Sequence, residues 1–194
     1  MARTRTFIAV DLGAGIRKSA VAFQKTLALC GADVNWVEAE NLHVTLNFLG
    51  EVDDKELHAV CRAVKKAVAK APPFKLRVNG LGAFPTPRRP KTLWAGITDG
   101  ATDLAKLHGL IEGPLIEIGC YRREDRPYTP HLTLGRIKGE TDSETIAQEL
   151  PKHMAWDGGH TVIEQLLIFS SELRREGPTY SVVGRAALDG VMEI

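Results

Sequence analysis

The tetrapeptide His43-Val44-Thr45-Leu46 returns 88 residues later as His131-Leu132-Thr133-Leu134. In each copy apolar and polar residues alternate with the period of a half-buried strand, so His and Thr project from one face and the aliphatic pair from the other. A given His opens such a pattern by chance roughly one time in a hundred, and two of the six histidines doing so is an accident of about one in a thousand. The repetition constrains the fold: two short strands must come together with their polar faces over one ligand. Two imidazoles and two hydroxyls meeting in this way suit a small anion.

The segments around the motifs alternate between strand and helix patterns. Thr6 to Leu12 reads as a strand, and Gly15 to about Leu29 as a helix stopped by Gly31. Val34 to Val37 is a short extended piece, and Asn41 to Leu49 is the first motif strand. Asp53 or Asp54 caps a helix with an apolar stripe of Leu57, Val60, Cys61, Val64 and Val68, ended by Pro72-Pro73. Strands over Phe74–Leu81 and Thr92–Ile97 flank a Pro- and Arg-rich loop, Phe84 to Lys91. A helix from Ala101 to Ile118 and a basic loop, Tyr121 to Pro127, lead to the second motif strand, His131 to Ile137. A helix near Asp142 to Leu150 and strands over Val162–Ser170 and Thr179–Ala187 follow. The order strand, helix, motif strand, helix thus repeats, without a composition break between the copies. It predicts an α+β fold of two pseudo-symmetric lobes, each supplying one motif strand to a shared cleft.

A chain of 194 residues with 44% hydrophobic and 25% charged residues has material for a real core. A formal net charge of +1 argues against tight non-specific DNA binding but leaves room for a local basic cleft. No long apolar segment follows Met1-Ala2-Arg3-Thr4-Arg5-Thr6, so neither a signal peptide nor a membrane anchor is expected. Three cysteines, Cys30, Cys61 and Cys120, without a Cys-x-x-Cys, fit a reduced cytoplasmic home.

The paired motifs match the demands of phosphodiester chemistry. Hydrolysis needs a base to deprotonate water and an acid to protonate the leaving oxygen, and two histidines supply both without a metal. A threonine two residues along projects to the same face and can donate to a non-bridging oxygen as charge builds in the transition state. A twofold-like arrangement sets one histidine on each side of phosphorus, as in-line displacement requires.

At these residues the chain resembles the 2H phosphoesterases, and most of all their bacterial and archaeal RNA 2',3'-cyclic phosphodiesterase branch, also called 2'-5' RNA ligases. The likeness runs through Phe7-Ile8-Ala9-Val10-Asp11-Leu12, Trp36-Val37 and Glu40 to Gly50. It continues through Gly80 to Pro85, Leu93-Trp94-Ala95-Gly96, Arg126 to Arg136, and Ser170-Ser171-Glu172-Leu173. The resemblance implies a single bilobal domain over residues 1–194, with antiparallel sheets lining a central cleft and helices outside. It implies that His43 and His131 are catalytic, that Thr45 and Thr133 hold the phosphate, and that no metal or other cofactor takes part. The expected reaction opens the 2',3'-cyclic phosphate end of an RNA or nucleotide to a 2'-phosphomonoester, in a monomer. Ligation to a 2'-5' linkage by the same site, or a non-catalytic RNA- or nucleotide-binding module, are the alternatives.

Phe48 and Arg136 each follow their histidine by five residues, an odd offset that sends them to the opposite face of an ideal strand. The resemblance implies that they reach the cleft and clasp the terminal base, which requires a bulge or a strand end. The plainer alternative makes Phe48 core and Arg136 a surface ion-pair partner. Tyr128 stands where the family usually has Phe, and its hydroxyl is expected as a polar contact at the cleft mouth. Gly135 replaces a commoner Ala without expected consequence. Arg88, Arg89 and Lys91, with Arg122, Arg123 and Arg126, are candidates for a rim that follows an RNA backbone, Arg126 foremost, and Arg174-Arg175 forms a third basic pair. His58-x-x-Cys61 has no second ligand pair for zinc. His108, His153 and His160 lack partner spacing, and Trp36, Trp94 and Trp156 read as core or core edge.

Overall fold

The computed structural model describes residues 3–123, 125–174 and 177–190. Its elements run β1 (Arg3–Asp11), α1 (Gly13–Ala28), β2 (Val34–Trp36), β3 (His43–Asp53), α2 (Asp54–Val68), β4 (Phe74–Thr86), β5 (Arg89–Ile97), α3 (Ala101–Glu117), β6 (His131–Ile137), α4 (Glu140–Glu149), β7 (Asp157–Ile163), β8 (Gln165–Arg174) and β9 (Gly177–Ala187). Short 3₁₀ turns at Ala39–Asn41 and Leu150–His153 precede β3 and follow α4.

The helices form where apolar residues recur every three or four positions. Ile16, Ala20, Phe23 and Leu27 line the buried face of α1, Val60, Val64 and Val68 that of α2, and Leu104, Leu107, Ile111 and Leu115 that of α3. Asp53 caps α2, its carboxylate accepting from the Lys55 N–H at 3.1 Å. These faces cover strand residues such as Ile8, Val10, Val44, Leu132, Leu134 and Ile168, all buried. The alternate residues of the same strands are left on the other face, and that face carries the site.

The strands join in one antiparallel sheet, ordered β7-β4-β5-β6-β3-β1-β8-β9, with β2 also paired to β6. Read outward from the centre, β3-β1-β8-β9 mirrors β6-β5-β4-β7. The mirror is crossed on the back: α1, from the first half of the chain, packs against β7, while α3 packs against β3 and α2. At the centre β3 and β6 pair directly at Val44↔Leu132.

Three expectations change. The Pro- and Arg-rich stretch is not a loop, because β4 runs to Thr86 and β5 starts at Arg89 around a turn at Pro87-Arg88. Its prolines are tolerated because the ribbon has no outer neighbour there to demand their missing N–H groups. The apolar run Val162–Ser170 is two strands divided at Glu164, β7 pairing with β4 and β8 with β1. Alternation is blind to such a break, since both strands present the same pattern. The first motif strand begins at His43, after the 3₁₀ turn, and continues to Asp53 through a bulge at Gly50, whose φ of 70° suits glycine.

Candidate active site

The seven residues from each motif histidine onward share one burial pattern: half-buried His, buried aliphatic, half-buried Thr, two buried residues, an exposed residue, a half-buried one. Antiparallel pairing at Val44↔Leu132 sets His43 across from Thr133 and Thr45 across from His131. Strand rise and spacing make this a rectangle of roughly 7 by 5 Å between backbones, with the histidines at the ends of a diagonal about 8 Å long. The threonines end the other diagonal. A tetrahedral anion over the centre would meet a hydroxyl on two sides and an imidazole on the other two.

Each imidazole is oriented by the carbonyl two residues before it. His43 Nδ1 lies 2.7 Å from the Asn41 carbonyl oxygen and His131 Nδ1 2.7 Å from that of Thr129. A carbonyl only accepts, so Nδ1 carries the proton in both rings and Nε2 is the atom available for proton transfer. On the first motif His43 Nε2 meets Thr45 Oγ1 at 2.9 Å, the hydroxyl donating.

The surroundings of the two rings differ. Phe7 stacks on His43 with centroids 4.9 Å apart, and Tyr180 meets it edge-on at 5.4 Å. Asp11 is the cross-strand partner of His43 and holds Arg17 in an ion pair; Gly96 occupies the corresponding place opposite His131. Burial depresses the His43 pKa below its ordinary value, and the hydrogen bond to Asn41 opposes the shift. The charges of Arg17 and His131 push it further down, and that of Asp11 pulls it up. His131 is flanked instead by Phe84, edge-on at 5.1 Å, and by Trp94 at 6.1 Å. The Trp94 ring lies so close over Gly82 that a Cβ there would come within 2.1 Å of it. Trp94, half-buried, therefore belongs to the cleft wall, the edge alternative of its reading as core or core edge.

Bulges of the kind Phe48 and Arg136 require are present in both motif strands. Along β1–β3 the register steps from Ala9↔Thr45 to Ile8↔Asn47, and along β5–β6 from Trp94↔Thr133 to Leu93↔Gly135. Leu46 and Leu134 are the extra residues, and the shift turns Phe48 and Arg136 back to the cleft face. Phe48 is 53% exposed, with its ring 5.7 Å from that of Phe7, so it is not core. Arg136 is exposed and has no ion pair among the described residues. Because β3 and β6 are antiparallel, the two residues leave the tetrad in opposite directions. Their backbones thus lie at opposite ends of the phosphate seat, while Arg136 is still close enough to act electrostatically on Tyr180, which packs against His43 and Phe7.

The bulges are braced from behind. His108 Nδ1 donates to the Leu46 carbonyl at 3.1 Å and the Tyr128 hydroxyl to that of Thr45 at 2.9 Å, the two rings stacking at 4.5 Å. On the other strand Gln24 Nε2 and the Val37 N–H both reach the Leu134 carbonyl at 2.9 Å. The expectation for Tyr128 is thus revised, because its hydroxyl is engaged with the first motif strand and burial pushes its pKa up. Gly135 is not neutral either: a Cβ there would come within 2.7 Å of Val34 and 2.9 Å of Trp36, where β2 closes on β6.

Among the rim candidates, Arg123 is paired with Glu112 at 3.0 Å, whereas Arg126 is exposed with no ion pair among the described residues. Arg175 lies outside the described residues, as does Glu124 of the basic loop. No three His, Cys, Asp or Glu side chains gather as a metal site among the described residues. No helix among them is long and apolar enough to cross a membrane. Asp11, Arg17, Phe7, Tyr180, Gln24 and His108 were not read as site residues from the sequence. They join the site through partners far away in the chain, which spacing does not reveal.

The chain matches the LigT-like phosphoesterase family over residues 10–94. It is 32% identical over 179 residues to the RNA 2',3'-cyclic phosphodiesterase of Methanothermobacter thermautotrophicus, spanning 92% of this chain and 96% of that relative. Its fold is similar to a solved structure from Thermus thermophilus, with a TM-score of 0.79 at 27% identity over 96% of this chain and 98% of the other. It is likewise similar to Escherichia coli LigT complexed with 3'-AMP, with a TM-score of 0.77 at 25% identity and the same coverage.

Proposed function

The chain belongs to the LigT-like phosphoesterase family, and on that premise we propose that it hydrolyses 2',3'-cyclic phosphate ends of RNA or nucleotides to 2'-phosphomonoesters. The observation that carries the reading is the diagonal pair of imidazoles, each with Nδ1 held by a carbonyl and Nε2 left for chemistry. In the reaction one Nε2 accepts a proton from water as its oxygen attacks phosphorus. The other donates its proton to O3' as the P–O3' bond breaks, and the 2'-ester bond stays intact. Thr45 and Thr133 donate to the non-bridging oxygens. Thr45 gives up its hydrogen bond to His43 to do so, which releases Nε2 when substrate arrives.

Burial keeps His43 neutral near pH 7, so in the free protein it is a competent proton acceptor. The proposed step needs no metal ligand. Phe48 offers an exposed ring to the base, Arg136 an exposed guanidinium, and Arg126 a charge on the rim. We take the protein to act as a monomer in the cytoplasm, a home supported by its three unbridged cysteines.

The test is incubation with a short RNA ending in a 2',3'-cyclic phosphate, with EDTA present, and assignment of the product's phosphate position. A 2'-phosphate end is expected. An intact substrate, or activity abolished by the chelator, overturns the proposal.

A further inference from the structure

The ribbon formed by β4 and β5 extends past the rest of the sheet. β7 pairs with β4 only along Phe74–Asn79, and β6 pairs with β5 only from Thr92 onward. Residues 85–91 therefore extend past their strand neighbours as a two-stranded arm, anchored at its root where the carbonyl of buried Pro90 accepts a hydrogen bond from Ser143 Oγ of α4 at 2.8 Å. Pro85, Pro87 and Pro90 strip donors from its edges, which blunts it against pairing with other strands. Its other residues are of a different kind. Arg88, Arg89 and Lys91 are exposed, and none has an ion pair among the described residues.

At the root of the arm Phe84 is 36% exposed, an unusual position for a large aromatic ring. The register sets it beside Thr92, and Thr92 beside Arg136, all on the cleft face. The Phe84 ring lies 5.1 Å from that of His131 and, with Thr92, links the tetrad to three further cations. Exposed rings stack on any base, and unpaired cations displace the counterions of a phosphate backbone. A cyclic mononucleotide seated on the threonines with its base at Phe48 has no further phosphate to offer Arg88, Arg89 and Lys91.

We propose that the arm binds single-stranded RNA beyond the reacting nucleotide, with Phe84 as the stacking ring and Arg88, Arg89 and Lys91 on the phosphates. The proposal rests on the phosphodiesterase reading. The strand is either the 5' portion of the substrate or a second RNA on the far side of phosphorus.

The experiment compares cytidine 2',3'-cyclic monophosphate with a hexaribonucleotide ending in a 2',3'-cyclic phosphate, on the wild type and on R88S/R89S/K91S. For the hexamer the variant should raise KM roughly tenfold, and its log–log salt slope should be shallower by about 0.7 for each phosphate that is no longer neutralised. Its kinetics on the mononucleotide should be unchanged. A hexamer KM and salt slope equal to the wild type's overturn the proposal. Inhibition of mononucleotide hydrolysis by an uncyclised hexamer, weakened in the variant, assigns the arm to a second strand; absence of inhibition with the hexamer KM effect retained assigns it to the substrate's own 5' portion. If the wild type cleaves neither substrate, the hydrolase reading fails. Fluorescence anisotropy of the labelled hexamer then still decides the arm, equal affinity of wild type and variant refuting it.

Discussion

His43 and His131 occupy equivalent places on mirrored strands, with the same burial pattern, the same bulge three residues on and the same carbonyl orienting Nδ1. Around His43 lie Phe7, Tyr180 and the Asp11–Arg17 pair; around His131 lie Phe84, Trp94 and a glycine. The backbone is symmetric and the electrostatics are not. Geometry for in-line displacement follows from the shared part, which fixes where the four side chains stand. Division of labour between acid and base has to come from the unshared part, since identical surroundings would give both rings the same proton affinity.

The harshest way to break the comparison is to remove either ring. His43→Ala and His131→Ala should each cut kcat/KM on a 2',3'-cyclic nucleotide by about 10²–10⁴-fold, and the double variant should lose little more than the worse single one. A full-activity variant at either position would show that the pair does not act as a unit. Next come the hydroxyls: Thr45→Val and Thr133→Val should each cost kcat on the order of 10²-fold, read from the same assay.

The electrostatic difference is sharpened by pH. The limb of kcat/KM that reports His43 should lie below the ordinary histidine value of 6.5. Arg17→Met removes a cation that opposes protonation and should move that limb up, whereas Asp11→Asn should move it down. Identical profiles for both variants would show that the ion pair is electrically silent. The same burial links His43 to stability: its folded pKa is depressed, so its contribution is present above 6.5 and lost as pH falls through the lower folded value.

The smallest effects concern the braces. Gln24→Ala strips a buried donor from the carbonyls of Val37 and Leu134 and should cost about 2 kcal/mol, or roughly 4–8 °C in Tm by calorimetry. Tyr128→Phe removes one hydrogen bond from Thr45 and should cost about 1 kcal/mol, or roughly 2–4 °C. Equal shifts would mean that the two bulges are supported alike.

The tetrad was legible because each half of it is local. Strand alternation puts His and Thr on one face, and the repeat of the motif says that two such faces meet. The bulges that turn Phe48 and Arg136 inward were inferred as a requirement, yet their opposite exits depend on the antiparallel pairing of β3 with β6, which periodicity does not encode. The braces illustrate the same limit. Leu46 and Leu134 show no sequence sign that their carbonyls need donors, and His108 and Gln24 look like ordinary helix residues until the fold carries them there. The β4–β5 ribbon was hidden for another reason, since its prolines speak for a loop unless the strands are known to lack outer partners.

The mirrored strand order has a bearing on ancestry. A site lying on a twofold axis needs one set of instructions applied twice, so two copies of a half-length chain docked about a true axis would assemble the same two histidines and two threonines. Such a homodimer would be bound to repeat every neighbour as well, with an aspartate, or a glycine, beside both rings. Covalent fusion lifts that obligation. Once the halves are read from separate stretches of one message, Asp11 can stand where its counterpart is Gly96, and Phe48 where its counterpart is Arg136. A dyad site becomes directional without moving its backbone.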